Sequence, residues 1–417
     1  MEAKRYAADS FYTAAGKLDI SSSEPLTVAF LGGSLTEGHV DYEGTSLSDD
    51  KLKWANVMIK FLSGVFPRRP LRAVNAGLGG TGTDYGAARL ERDVLACDPD
   101  ILFIEFSCND MPHTSADVSE QGRAQRQIYL ENIIRRCMEQ EKVPVIIYMH
   151  VPLPFEGEVL DRYLIGCQYK QEVLDHYEIP TVDAMADFAR EYEVESNRDE
   201  KLSLHDYYDR YYKRKQSGLG AYDVHPNGNG YMLFAKSLIN AIMHEPERYL
   251  RRFNMKDTPY RADFSDEISK RFNYIPASSD RISYKGEWKL FGAENEFITE
   301  DADIAIGSGA YRNATQFPDG IMQTFMPRGA EFSFDTEADA ICMPHVSARA
   351  GISASVFADG ELVGKTSCRS VHHGMNFTGP WISLPKGKKQ LKFVIDDATE
   401  SERAFRFGYI IEAFIKK

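Results

Sequence analysis

Between residues 26 and 183 the chain alternates short apolar runs with longer amphipathic stretches, and few architectures accept that pattern. The runs fall at 26–31, 71–75, 101–106, 143–150 and, shorter, 180–183. Stretches 53–62, 85–96, 126–140, 161–176 and, later, 231–242 repeat apolar residues at helical spacing. A strand that is apolar throughout, rather than at every second position, needs cover on both faces. The pattern therefore predicts an α/β domain whose parallel sheet lies between helices.

From about residue 283 the pattern changes to short alternating runs at 330–334, 352–357, 361–365, 390–395 and 407–414. Turn signals separate them, among them Asp359-Gly360 and Pro385-Lys386-Gly387-Lys388. Asp-Gly between two alternating segments is a hairpin signal, and the whole predicts an all-β sandwich. Two domains are expected, 1–275 and 283–417, meeting in the Pro- and Ser-containing stretch 275–281. The charged segment 245–272 reads as a connector packed on the first domain.

Composition narrows the function. The chain of 417 residues carries 49 basic and 62 acidic side chains, net −13, with most of the acidic excess before residue 281. No Lys/Arg stripe offers a footprint for nucleic acid or for an anionic membrane surface, and no apolar run approaches the ~20 residues needed to cross a bilayer. Six scattered cysteines (Cys97, Cys108, Cys137, Cys167, Cys342, Cys368) lack metal-binding or redox spacing and read as small buried hydrophobes of a reducing compartment. The first residues hold no apolar signal core, so a cytoplasmic location is expected, although a chain whose leader had been removed would look the same.

Four segments at strand or loop ends carry polar groups suited to chemistry. The first strand runs into Gly32-Gly33-Ser34-Leu35-Thr36-Glu37-Gly38, which puts a hydroxyl at the carboxyl edge of a sheet, where ligand sites of open α/β folds gather. It is not G-x-S-x-G, because Thr36 replaces the second glycine, nor a P-loop. The second strand ends in Asn75-Ala76-Gly77-Leu78-Gly79-Gly80-Thr81-Gly82. Gly77, Gly79 and Gly82 spell a G-x-G-x-x-G with Glu105 downstream, which keeps a dinucleotide-binding oxidoreductase as a remote alternative. The third strand ends in Ser107-Cys108-Asn109-Asp110, whose Asn amide could meet a developing oxyanion. The last segment is Ala221-Tyr222-Asp223-Val224-His225-Pro226-Asn227, a histidine with a nearby carboxylate that suits a general base. Singly each has an ordinary structural explanation, a turn or a cap. Jointly they assemble acyl transfer through a serine ester: Ser34 as nucleophile, His225 as base, and the Ser34 and Gly80 backbone N–H groups with the Asn109 side chain as oxyanion donors.

The four ordered blocks resemble the SGNH (GDSL) hydrolase superfamily over roughly residues 25–245. The resemblance implies a three-layer α/β/α, flavodoxin-like hydrolase domain, here followed by a jelly-roll-like β-sandwich, and an ester hydrolase needing no cofactor or metal. Gly33 stands where the family usually has Asp, and Ser107 or Cys108 where it has Gly. Tyr222 occupies the position of the usual triad acid, three residues before His225. The acid is therefore open between Asp223, a backbone carbonyl in a Ser-His dyad, and Asp206 or Asp209 folding back.

The Gly-Gly-Ser-Leu-Thr variant with an appended sandwich is similar to bacterial carbohydrate esterases that deacetylate plant polysaccharides. An acetylated poly- or oligosaccharide is the implied substrate, with short imported oligosaccharides favoured by the expected location. A lipase or thioesterase of the same superfamily and a non-catalytic carbohydrate-binding protein are the alternatives. The sandwich could bind carbohydrate, brace the site or make a homo-oligomer contact. Trp381 and Trp288 are stacking candidates, with core packing as the competing explanation. Tyr207, Tyr208, Tyr211 and Tyr212 form a helical stripe that could wall a sugar site, Tyr208 foremost, or pack in the core. Trp54 reads as core. His372-His373 has no neighbouring ligand residue that would make it a metal site.

Overall fold

The computed structural model describes residues 18–38, 49–112, 118–215, 221–251, 270–291, 321–324, 329–343, 352–367, 381–396 and 405–415. The chain divides into two compact units, Met1–Ser265 and Asp266–Lys417.

In the first unit the apolar runs become strands β1 (Leu26–Gly32), β2 (Leu71–Gly77), β3 (Ile101–Glu105), β4 (Val145–His150) and β5 (Thr181–Asp183). They lie in the order β2-β1-β3-β4-β5, with every neighbouring pair parallel. Every residue of β1, β3 and β4 is buried, as strands covered on both faces require. The helices sort into two groups. Trp54–Val65, Ala184–Ser196 and Gly228–His244 pack together, and Thr83–Asp93, Glu120–Met138 and Gly157–His176 form the other set. Trp54 is core as expected: its ring meets Phe30 edge-on at 5.1 Å, while its Nε1 donates to the Leu35 carbonyl at 3.0 Å. This is the flavodoxin-like strand order, and its switch point lies between β1 and β3, where connections leave in opposite directions and a crevice opens at the carboxyl ends. Ser34 follows β1 and Asn109 follows β3, so the topology alone puts both beside that crevice.

Among the described residues, the paired strands of the second unit are antiparallel. Strands Glu361–Ser367, Ser353–Ala358, Lys389–Ile395, Glu331–Thr336 and Ser283–Lys285 form one sheet in that order. Ile382–Ser383, Ala340–Cys342, Tyr409–Ile415 and Lys270–Pro276 form a second. A three-stranded sheet joins Lys289–Phe291, Ile321–Thr324 and Phe405–Phe407. Their shared core includes Phe332 stacked on Phe393 at 4.4 Å and on Phe407 at 4.6 Å, with Ile341 and Ile410 from the second sheet. The Asp-Gly signal is realised as a hairpin: Asp359 and Gly360 have φ of 49° and 90°, and Ala358 pairs with Glu361. Positive φ at both central positions is the type I′ requirement that selects Asp-Gly.

Two expectations need correction here. The stretch 270–276, assigned to the connector and first domain, is instead a strand of the second unit, with Ile275 opposite Ile410. Lys270, Arg271 and the closing Pro276 hid its alternation. The run expected over 407–414 is broken at Gly408, where the chain leaves one sheet and enters another. Such sheet changes mark the corners of packed sheets. Among the described residues, no helix is long and apolar enough to cross a membrane.

Candidate active site

β1 delivers the chain to Gly32 and Gly33, and a short helix begins at Ser34. The turn is too tight for side chains at either glycine. A Cβ on Gly32 would come within 2.0 Å of Thr36 Oγ1 and 2.3 Å of the Glu105 carbonyl, and one on Gly33 within 2.5 Å of Asn109 Oδ1. Close approach of three chain segments is thus what the paired glycines permit. Ser34 is not a helix cap. Its Oγ lies 2.9 Å from His225 Nε2.

His225 sits on the strand Tyr222–Pro226, two residues after Asp223. Residues i and i+2 of an extended strand face the same side, so the two-residue spacing that departs from the family pattern still brings the groups together. Asp223 Oδ1 accepts from His225 Nδ1 at 2.7 Å and from the His225 backbone N–H at 2.9 Å. Burial alone would raise the Asp223 pKa, but the His225 hydrogen bonds outweigh it and hold the carboxyl at about 2. With Nδ1–H directed at a carboxylate, Nε2 is left to accept from the Ser34 hydroxyl. The rival acids are engaged elsewhere: Asp206 closes a capping box with Ser203, and Asp209 binds Arg214 and the Tyr222 hydroxyl. Tyr222, at the usual acid position, is buried.

The oxyanion candidates converge on the same turn. Gly80 adopts φ +74° between β2 and the helix Thr83–Asp93, a conformation that favours glycine. Thr81, beside it, puts its carbonyl oxygen 3.1 Å from where a Gly33 Cβ would be. Among the described residues, the backbone N–H groups of Ser34 and Gly80 and the side-chain amide of Asn109 find no acceptor. A serine hydroxyl in contact with an imidazole, beside a turn that Asn109 and the Thr81 segment approach closely, is a constellation suited to acyl transfer.

Residues 30–233 match the GDSL-like Lipase/Acylhydrolase family. The first unit of this chain belongs to that family. By class it is a carboxylic ester hydrolase. Two solved structures resemble nearly the whole chain. One is a two-domain esterase active on acetylated mannans, co-crystallised with mannopentaose: 17% identity, 95% of this chain and 93% of that chain covered, TM-score 0.62. The other is also a two-domain esterase active on acetylated mannans: 17% identity, 94% of this chain and 92% of that chain covered, TM-score 0.63. At that identity the likeness shows a shared fold. Among curated proteins, none matches the sequence.

The GDSL-like fold gives the dinucleotide-like glycines a different use. A Cβ on Gly77 would lie 2.1 Å from the Glu37 backbone nitrogen, and one on Gly82 2.3 Å from Asp110 Oδ1. The glycines admit neighbouring protein, and Glu105, which a dinucleotide ribose would need, is buried and occupied. The oxidoreductase alternative loses its motif.

Sequence reasoning missed the groups that join the blocks. Glu105 Oε1 accepts from the Ser107 N–H at 2.7 Å, its Oε2 lies 3.4 Å from Thr36 Oγ1, and its carbonyl accepts from the Gly33 N–H at 3.3 Å. Burial pushes its carboxyl up to about 7, against the pull of the Ser107 bonds and Lys170. Glu37 Oε2 accepts from the Gly79 N–H at 2.7 Å, Asn75 Nδ2 donates to the Thr36 carbonyl at 3.0 Å, and Asp110 Oδ1 accepts from the Thr83 N–H at 2.8 Å. Buried Arg89 donates to the Gly32 carbonyl at 3.0 Å. A glutamate closing an otherwise apolar strand was the one visible signal. Cys108, next to Asn109, is no rival nucleophile, since burial pushes its thiol up to about 12.

The aromatic candidates separate. The helix behind the expected tyrosine stripe spans only Leu204–Tyr208, and Tyr212 starts the strand Tyr212–Arg214. Tyr208, offered as a sugar contact, is 7% exposed and stacked on Phe188 at 5.3 Å, so it packs in the core with Tyr207 and Tyr212. Trp288 packs edge-on against Phe332 at 5.7 Å, also with a core. Trp381 is half-buried beside Ile382–Ser383 in the second unit. His372-His373 lies outside the described residues. Among those described, no group of three or more His, Cys, Asp or Glu could hold a metal.

Proposed function

We propose that the chain is a serine esterase that removes acetyl groups from saccharides through an acyl-Ser34 intermediate. The observation that carries this reading is the continuous chain Ser34 Oγ, His225 Nε2, His225 Nδ1, Asp223 Oδ1, with links of 2.9 and 2.7 Å. Ser34 Oγ attacks the ester carbonyl as its proton passes to His225 Nε2. The carbonyl π electrons move onto oxygen, and the N–H groups of Ser34 and Gly80 with the Asn109 amide stabilise that charge. Collapse breaks the acyl C–O bond, and His225 returns the proton to the departing sugar hydroxyl. Water, deprotonated by the same imidazole, then attacks the acyl-serine carbonyl; collapse breaks the bond from the acyl carbon to Ser34 Oγ, His225 returns the proton to Oγ, and acetate is released.

Two features support a saccharide ester. The α/β unit is followed by a β-sandwich, and that arrangement is shared along nearly the full length with an esterase active on acetylated mannans.

The test is hydrolysis of p-nitrophenyl acetate, p-nitrophenyl octanoate and acetylated manno- and xylo-oligosaccharides by wild type and Ser34→Ala. The reading predicts fast acetate release, slow octanoate cleavage and loss of turnover in the variant. Preference for octanoate would transfer the enzyme to lipid or thioester substrates. Turnover that survives in Ser34→Ala would end the serine mechanism.

A further inference from the structure

Ser34 and Asn109 come from the ends of two different strands, yet they must meet the same acyl carbon and oxygen. The strands fix where the two turns begin, with Gly32 opposite Glu105 and the Gly33 N–H on the Glu105 carbonyl, but beyond that point each turn is closed mainly by its own bonds. The Ser34 turn is held by i+3 and i+4 bonds to the Gly33 carbonyl, and the 106–111 turn by long bonds of 3.4 and 3.3 Å. The side chain that touches both is Glu105. Its Oε1 takes the Ser107 N–H at 2.7 Å, and its Oε2 faces Thr36 Oγ1 at 3.4 Å. It is 1% exposed, so water does not compete for these bonds.

From this geometry we infer that Glu105 is a positioning residue that sets the separation of nucleophile and oxyanion donor by bridging their turns. The inference rests on the serine-esterase reading above. Glu105 touches no reacting atom; it acts through Ser107 on Asn109 and through Thr36 on Ser34. The bonds need an acceptor toward Ser107 and a group able to pair with a hydroxyl, and both are available to an amide.

The experiment compares wild type, Glu105→Gln, Glu105→Ala and the volume-filling Glu105→Leu in the full chain. Readouts are kcat and KM on p-nitrophenyl acetate, the rate at which a fluorophosphonate labels Ser34, and amide hydrogen exchange at Ser107. Glu105→Gln should stay within about threefold of wild type in kcat. Glu105→Ala and Glu105→Leu should lose at least tenfold in kcat and in labelling rate, with KM within twofold and Ser107 exchanging faster. Folded Ala or Leu variants with wild-type kcat and labelling would overturn the inference. So would a Gln variant as impaired as Leu, or unfolding of both Ala and Leu variants, which would make Glu105 a folding residue only. Absence of Ser34-dependent hydrolysis in wild type would instead sink the esterase reading. In that case, unchanged Ser107 exchange across the variants would still overturn the bridge.

Discussion

One oxygen of Asp223 binds His225 twice, taking its ring Nδ1 at 2.7 Å and its own backbone N–H at 2.9 Å. The second bond locks the carboxylate to the strand, so the acid and the imidazole move as one unit. Replacing Asp223 with Asn keeps the shape but offers an amide that can present N–H to Nδ1 and favour the wrong tautomer. We expect Asp223→Asn to lower kcat by about 10² or more, with KM little changed. A loss below tenfold would mean that His225 is oriented by something else.

The same carboxylate makes a pH prediction. Its pKa is lowered in the folded chain, from 3.8 to about 2. Its stabilising contribution is therefore complete above about pH 4 and is lost as pH falls through about 2. The difference in melting temperature between wild type and Asp223→Asn should be constant from pH 7 to about 5 and shrink toward pH 2. A difference that stays level throughout would contradict the shift.

Glu105 behaves in the opposite sense. Its pKa rises from 4.5 to about 7, chiefly by burial. The folded state then binds the extra proton, so the contribution is full below pH 4.5 and is lost as pH rises through 7. Wild type should lose stability relative to Glu105→Gln across that window, on the order of a few kcal/mol. Chemical denaturation of both proteins at pH 4.5 and 8.5 measures it, and equal losses would refute the shift.

Asn109→Ala removes the proposed oxyanion donor without touching Ser34 or His225. The expected result is a fall of about 10² to 10³ in kcat, or ~3 kcal/mol of barrier, with KM nearly unchanged. A change confined to KM would assign Asn109 to ground-state binding.

Gly80→Ala tests the second proposed backbone donor. At φ +74° an alanine is strained whatever space surrounds it, and a cost of about 1 kcal/mol is expected. If the loop relaxes to relieve the strain, its N–H turns away and kcat falls together with the melting temperature. Unchanged kcat with lowered stability would remove Gly80 from the oxyanion site.

Much of this was legible in the residues. Strands such as Val145–His150 stand out because their positions are almost all apolar, which burial on both faces explains, and Asp359-Gly360 because its turn admits few other pairs. The four polar blocks were legible too, since three of them come at the ends of apolar strands and the fourth pairs a histidine with a carboxylate two residues away. What could not be read was conformation at single positions. Whether Asp223 reaches His225 depends on that segment being extended rather than turned, which spacing alone does not reveal. The tyrosines at 207–212 fit a helix by period but straddle a helix end and a strand start. The bridging role of Glu105 depends on two turns meeting, which only the sheet order determines.

The pairing of Lys270–Pro276 with Tyr409–Ile415 has a consequence for synthesis on the ribosome. The first and last described strands of the second unit are partners, so its four-stranded sheet waits for residue 415 to be made. By then β1 to β5 and the helix carrying Gly228–His244 have long been translated and can fold, as N-terminal domains generally do during synthesis. A ribosome stalled shortly before residue 409 would therefore hold a chain whose hydrolase half is free to fold and whose strand Lys270–Pro276 waits for a partner.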